Sequence, residues 1–217
     1  MNIPIIYEDA HILVCHKPSG VPVQTSKIGA PDMVSYLKGY LYKKQEEKRE
    51  PYLAVIHRLD QPVEGLLVFA RTPFAAKELN KHMQQHSFGK FYRATLCGNP
   101  KAKEGRVENY LKKDAKTNTS SVCNSTDKDA KKAALFYEVI SSYEQEGQTY
   151  TEVHIRLETG RHHQIRVQMS HMGCPIMGDT KYNPHAKEEK GWQKIALCAY
   201  CLEFVHPKTG KEMRFEI

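Results

Sequence analysis

Asp60 closes the tetrapeptide His57-Arg58-Leu59-Asp60, just ahead of the apolar run Gly65-Leu66-Leu67-Val68-Phe69-Ala70. A carboxylate on a loop that enters a buried strand is held by packing on one side and open to a ligand on the other, which suits a nucleophile or base. Taken by itself, Leu59-Asp60-Gln61-Pro62 also makes an ordinary turn, with Asp starting it and Pro fixing a backbone angle. The rest of the chain has to decide between the two. Lys90-Phe91-Tyr92-Arg93 alternates as a half-buried strand and carries a phenol, a flat ring with a polar tip. Gly160-Arg161-His162-His163-Gln164-Ile165-Arg166 gathers guanidinium, imidazole and amide groups within one turn of chain. A competing chemistry is a metal-dependent hydrolase or nuclease using the 11 histidines with Asp60 and Asp179. No histidine pair has a convincing ligand arrangement, and adjacent His162 and His163 are expected to point to different faces of a helix or strand.

The elements that must position these groups alternate between strand and helix. Ile5 to Tyr7 and Ile12 to His16 are expected as a hairpin stopped by Lys17-Pro18-Ser19-Gly20. Pro31-Asp32 opens a helix with Met33, Val34, Leu37, Tyr40 and Leu41 at helical spacing, followed by a solvated charged segment from Lys43 to Glu50. Thr72-Pro73 supplies an N-cap and a first-turn proline for a second helix, ending near Ser87 to Gly89. Residues 101–132 turn polar, with too few apolar side chains for a core of their own, and are expected as an excursion bearing a short hairpin arm at Val107 and Leu111. Leu135 to Ser142 and Tyr150 to Leu157 are expected to pair across a turn at Gln145-Glu146-Gly147. A helix beginning near Arg161 should close at Gly173, and strands from Trp192 to Ala199 and Leu202 to Val205 should lead through Pro207-Lys208-Thr209-Gly210 to Arg214 to Ile217.

The 217 residues suffice for a full core, and one domain over residues 1–217 is the simplest expectation. Lys and Arg total 32 against 25 acids, a net charge of +7 that attracts polyanions, nucleic acid first among them. No stretch approaches a membrane span and the N-terminus lacks signal-peptide order, so an intracellular protein with no membrane partner is expected. The cysteines at 15, 97, 123, 174, 198 and 201 are scattered through apolar or mixed segments and should be packed thiols. Cys198-Ala199-Tyr200-Cys201 has metal-ligand spacing but no second pair to complete a site.

Taken together and in order, His57 to Ala70, Lys90 to Gly98 and Gly160 to Asp179 resemble the motifs of the RluA-type pseudouridine synthases. Glu8 to Gly20 and His206-Pro207-Lys208-Thr209-Gly210 resemble that family's ends. Val63-Glu64 stands where the family commonly has Thr-Ser, and His162 where it commonly has Thr. The resemblance implies an α+β fold, a mixed and mostly antiparallel sheet flanked by helices with a central cleft. The activity it implies is isomerisation of uridine to pseudouridine in structured ribosomal or transfer RNA, without cofactor or metal, by a cytoplasmic monomer. It implies Asp60 as the catalytic acid, Tyr92 as a ring stacked on the target base, and Arg166 as the cation paired with the acid. Arg58, His57, Arg161, His163 and Gln164 would lie on the substrate side, Arg58 filling the gap left by an extruded base. No separate N-terminal RNA-binding domain is expected, since the family-like segment begins within the first ten residues. The alternative is a catalytically weakened RNA-binding paralogue of the same fold.

Overall fold

Ile12, Leu13, Val14 and Cys15 are apolar at successive positions, the signature of a strand covered on both faces, and all four side chains are fully buried. In the computed structural model, which describes residues 3–27, 29–46, 49–85, 87–187 and 194–217, the chain divides into two compact units. Met1–Lys90 with Ala199–Ile217 make the first, and Phe91–Cys198 the second.

The first unit opens with the hairpin of β1 (Ile5–Glu8) and β2 (Ile12–Lys17). Helix α1 (Met33–Lys44) buries Met33, Leu37 and Leu41, one side chain per turn. Its cap is Asp32, which accepts the Ser35 N–H at 2.7 Å and the Thr25 N–H at 2.8 Å. A short β3 (Ala54–Val55) pairs with β4 (Glu64–Ala70), whose other edge pairs in antiparallel register with β2. Helix α2 (Pro73–Gln84) starts as expected on Thr72, whose hydroxyl accepts the Ala75 N–H at 3.1 Å, with Pro73 in the first turn.

In the second unit, β5 (Gly89–Cys97), β6 (Glu104–Asp114), β7 (Thr119–Cys123), β8 (Lys131–Gln145) and β9 (Gln148–Leu157) are joined through antiparallel pairs β5 to β9, β9 to β8, β8 to β6 and β6 to β7. The β8–β9 turn is two residues, Glu146 and Gly147, both at positive φ (53° and 75°), the geometry whose twist matches the strands it joins. Within residues 101–132 the expected hairpin arm is present, but longer than a short one. β6 is an 11-residue strand and β7 extends the sheet beyond it. Their polar composition suffices because the ladder bonds satisfy the backbone, and one small apolar patch anchors the arm: Leu111 and Ala133 against Val167, with Val122 and Tyr182 at its margin.

Val167 belongs to α3 (Gln164–His171), which starts three residues later than the sequence suggests. His163 sits at φ 54°, in the left-handed region, and ends the extended approach abruptly. Gly173, at φ 82°, closes the helix as expected.

The C-terminal hairpin, β10 (Leu197–Val205) and β11 (Glu212–Glu216), belongs to the first unit from Ala199 onward. Leu202 and Phe204 pack with Ile12, Val14, Leu66, Val68 and Ala70 against Ala75, Ala76 and Leu79 of α2. Each large apolar side chain buried there contributes about 1.5–3 kcal/mol. Trp192 and Gln193, expected at the start of this strand, lie outside the described residues, as do positions 47 and 48 of the expected charged segment. The expected α+β class and mostly antiparallel sheet are what the structure has.

β4 passes β10 so closely that a Cβ on Gly65 would lie 2.4 Å from the Ala199 carbonyl oxygen, and Gly65 has φ 134°. Both obstacles are backbone, so neither yields cheaply. Gly65→Ala is expected to destabilise by about 3 kcal/mol or more, measured as a lower urea midpoint. A midpoint within error of wild type would show that β4 can move away from β10.

Candidate active site

Asp60 stands on the loop that feeds β4, and this loop is stapled to the one that leaves β2. The Gly20 N–H donates to the Gln61 carbonyl at 2.9 Å, the Gln61 side-chain amide donates to the Gly20 carbonyl at 3.0 Å, and the Ser19 hydroxyl donates to the Pro62 carbonyl at 2.6 Å. Lys17 completes the clamp. Its side chain is fully buried, and its Nζ donates to the carbonyls of Pro18, Val21 and Gln61 at 3.0, 2.7 and 3.0 Å. Burial pulls the ammonium down to about 8, while the negative charges of Asp60 and Glu64 act the other way. A buried ammonium facing carbonyl dipoles fixes the backbone on which the half-buried Asp60 stands. Sequence reading took Lys17 for a loop residue and missed this part.

His57 and Arg58 precede the acid on the same loop. Arg58 is exposed. The His57 ring is engaged within the fold: Nε2 accepts the Val68 N–H at 3.2 Å, just past the point where β3 leaves the edge of β4, and the ring tilts against Phe88 at 6.3 Å. Accepting a backbone N–H requires a neutral ring. Burial, with the Lys90 charge added, takes His57 down to about 3.

In the second unit, Tyr92 lies on β5 opposite Ile155 of β9 and is only 7% exposed. The turn into α3 is held by the Gln164 amide, whose Oε1 accepts from Thr159 Oγ1 at 2.7 Å and the Arg161 N–H at 3.0 Å while its Nε2 donates to the Ala134 carbonyl at 3.0 Å. Arg161 is exposed and donates through Nε to the Lys132 carbonyl at 2.8 Å.

His162 and His163 do not diverge to different faces. The left-handed φ of His163 folds the two rings into a stack with centroids 3.7 Å apart. His162 Nδ1 lies 2.8 Å from Ser120 Oγ, and His163 Nδ1 lies 2.7 Å from the Tyr182 hydroxyl, which in turn accepts the Ser120 N–H at 2.7 Å. His163 is also taken down to about 3, by burial first and then by the positive charges of Arg166, His162, Lys181 and Lys113.

Arg166 is almost wholly buried. Its Nε and Nη2 donate to the two carboxylate oxygens of Asp179 at 2.8 and 2.6 Å, and its guanidinium lies 5.1 Å from the centre of the Tyr182 ring. Asp179 is in turn fixed by the Lys181 and Tyr182 N–H groups at 3.0 and 3.3 Å. A two-point fork of this kind sets the plane as well as the position of the guanidinium. Asp179, which the sequence offered only as a candidate of the metal-hydrolase alternative and as the end of a motif segment, and Tyr182, which it did not single out, are positioning residues; Gly178-Asp179, just after an apolar run, was the available signal.

The two neutral histidines make stability depend on pH. The unfolded chain takes up a proton on each near pH 6.5, the folded protein only near 3, so their contribution is intact above 6.5 and is lost as pH falls through that window. At pH 4.5 each ring is expected to cost about 3 kcal/mol. Urea midpoints at pH 7.5 and 4.5 would check this, and equal midpoints would show that the rings are protonated at no cost.

Among the described residues no group of three or more His, Cys, Asp or Glu side chains is placed to hold a metal ion, and no helix is long and apolar enough to cross a membrane. The fold itself is shared with solved pseudouridylate synthase domains. Human RNA pseudouridylate synthase domain containing 1 superposes with a TM-score of 0.81 at 21% identity, covering 100% of this chain and 83% of that one. Its domain containing 4 counterpart gives 0.79 at 23%, covering 99% and 87%.

In sequence, residues 11–171 match the RNA pseudouridylate synthase family. Ribosomal large subunit pseudouridine synthase D of Buchnera aphidicola is 32% identical over 222 residues, 96% of this chain and 67% of that protein. The protein of that name from Pseudomonas aeruginosa is 33% identical over 233 residues, 100% of this chain and 68% of its own length. The chain thus spans about two thirds of these relatives. It belongs to the RNA pseudouridylate synthase family and is an RNA pseudouridine synthase, an isomerase acting on RNA.

Proposed function

We propose that the chain isomerises uridine in large-subunit ribosomal RNA with Asp60 as the catalytic carboxylate, residues 1–217 acting as one catalytic domain. The observation that carries this is the seating of Asp60: a half-buried carboxylate on a loop clamped by Lys17, Ser19, Gly20 and Gln61 at the mouth of β4. Such an acid is rigid enough to meet one atom of a substrate and open enough to receive it. The reaction breaks the bond from ribose C1′ to N1 and rejoins the base through C5, whose proton is released. Asp60 serves either by attack on C1′ or by assisting elimination toward a glycal.

To Tyr92 we assign the stacking surface for the base and proton handling at C5, and to Arg166 the positive charge the reaction needs near its acid. A uridine in a stem has to leave the stack, at a cost of roughly a few kcal/mol. The exposed Arg58 is suited to fill the gap, with the exposed Arg161 on phosphate. His57, His163 and Gln164 serve the substrate indirectly, by holding the segments on which these groups stand.

Of the two RNA classes the motifs allow, ribosomal RNA is the one supported by the relatives' names. Cytoplasmic action by a monomer is the simplest form of this reading, and a solution mass of two chains would overturn the latter. Carbodiimide-dependent reverse-transcription stops should disappear from large-subunit ribosomal RNA when the gene is removed. Release of tritium from C5-labelled uridine in that RNA should persist in EDTA. Binding without release would identify a weakened paralogue instead, and release abolished by chelator would identify a metal enzyme.

A further inference from the structure

Several of the 32 lysines and arginines of this chain are neutralised locally. Lys38 pairs with Glu50, Lys44 and Arg71 with Glu8, Arg106 with Glu108 and Glu158, Lys132 with Glu108, and Arg214 with Glu203 and Glu216. The tip of the β6–β7 arm carries two cations that are not. Lys113 and Lys181 are both exposed, and among the described residues neither forms an ion pair.

The strand register puts them on one side. Lys113 follows Leu111 by two residues and so shares its face, the face that packs on Val167 of α3. Directly opposite Lys113 is Ser120, whose hydroxyl meets His162 and whose N–H meets Tyr182. Lys181, the residue before Tyr182, reaches the same tip and donates from Nζ to the Asn118 carbonyl at 2.9 Å. The arm's acid, Asp114, lies on the other face with Lys112 and accepts the Lys116 N–H at 2.8 Å within its turn.

Around the stacked histidines there is therefore an excess of positive charge. Lys113, Lys181, Arg166 and His162 all act on His163, and the carboxylate bonded among them, Asp179, is committed to Arg166. Like charges gathered without counter-charge cost stability unless an anion takes the position. We propose that Lys113 and Lys181 form a seat for backbone phosphates of the RNA substrate, on the α3 side of the β6–β7 arm. The proposal rests on RNA being the substrate and deepens that reading by assigning a contact remote in sequence from the three motifs. Phosphate contacts of this kind carry no base information and fix the register of the RNA on the enzyme.

The test uses the full chain and unmodified large-subunit ribosomal RNA transcribed in vitro, with affinity followed across salt concentrations. Lys113→Ala with Lys181→Ala should weaken binding about tenfold at 0.1 M salt and flatten the plot of log affinity against log salt by about 1.5–2. The Michaelis constant should rise with kcat unchanged, since a phosphate contact binds ground and transition states alike. Lys112→Ala, on the opposite face, should alter the slope by less than half as much per lysine.

An unchanged slope in the double variant overturns the proposal. So does an equal loss per lysine from Lys112→Ala, which would mean a diffuse field rather than a seat. Both side chains are exposed, so an unaltered melting temperature should confirm folding. If the wild-type chain releases no tritium, the catalytic reading fails while the salt slope still reports on the seat.

Discussion

Asp60→Asn is expected to lower C5-tritium release by at least about a thousandfold while leaving RNA affinity within a few-fold of wild type. The two side chains are nearly isosteric, and the loop keeps the clamp formed by Lys17, Ser19, Gly20 and Gln61. One consequence for stability does follow. Asp60 and Glu64 both favour the charged form of the buried Lys17, so removing one anion weakens that support, and a fall of a few degrees in melting temperature is expected. Glu64→Gln removes the other anion and serves as the control: it should produce a similar small fall in melting temperature with turnover retained. Were Asp60→Asn to remain active and Glu64→Gln to lose release, the catalytic carboxylate would be Glu64, four residues further along the chain.

Those parts of the fold and site that depend on local chemistry were legible in the sequence. Asp32 and Thr72-Pro73 announced two helix starts because capping is decided within four residues, and Glu146-Gly147 announced a turn because few residue pairs accept two positive φ values. The motif segments around Asp60, Tyr92 and Arg166 were likewise readable, with the elements that carry them. What sequence could not give were the long-range partners.

Lys17 looked like the first residue of a loop, yet its ammonium donates to the Gln61 carbonyl, 44 residues away. His162 and His163 were expected on opposite faces, and the left-handed backbone that stacks them follows from no residue-type preference strong enough to read. β6 and β7 were expected only as a short hairpin arm at Val107 and Leu111, because a strand whose side chains are mostly exposed has little apolar alternation to show. Its stability comes from ladder bonds to β8 and from Leu111 alone among its buried side chains.

The pair of Arg166 and Asp179 is the clearest of these hidden partnerships, and its disruption should give the largest loss of stability in the second unit. Asp179→Ala removes both charge-assisted bonds to a guanidinium that is 4% exposed, together with the acceptor for the Lys181 and Tyr182 N–H groups. Breaking a buried ion pair from one side typically costs about 3–5 kcal/mol, because the remaining charge has lost its counter-ion without regaining water. The same variant should reduce turnover, since Tyr182 alone does not fix the plane of the guanidinium it faces. Asp179→Leu combined with Arg166→Met replaces the pair by hydrocarbon of similar size and should recover a large part of the stability, but none of the turnover. That split separates a structural role from a functional one. If the double variant regained activity along with its melting temperature, the buried guanidinium would be needed only for folding and another cation would serve the acid. If Asp179→Ala melted as wild type does, the fork would be contributing nothing to the fold and the assignment of Asp179 as the residue that positions Arg166 would be wrong.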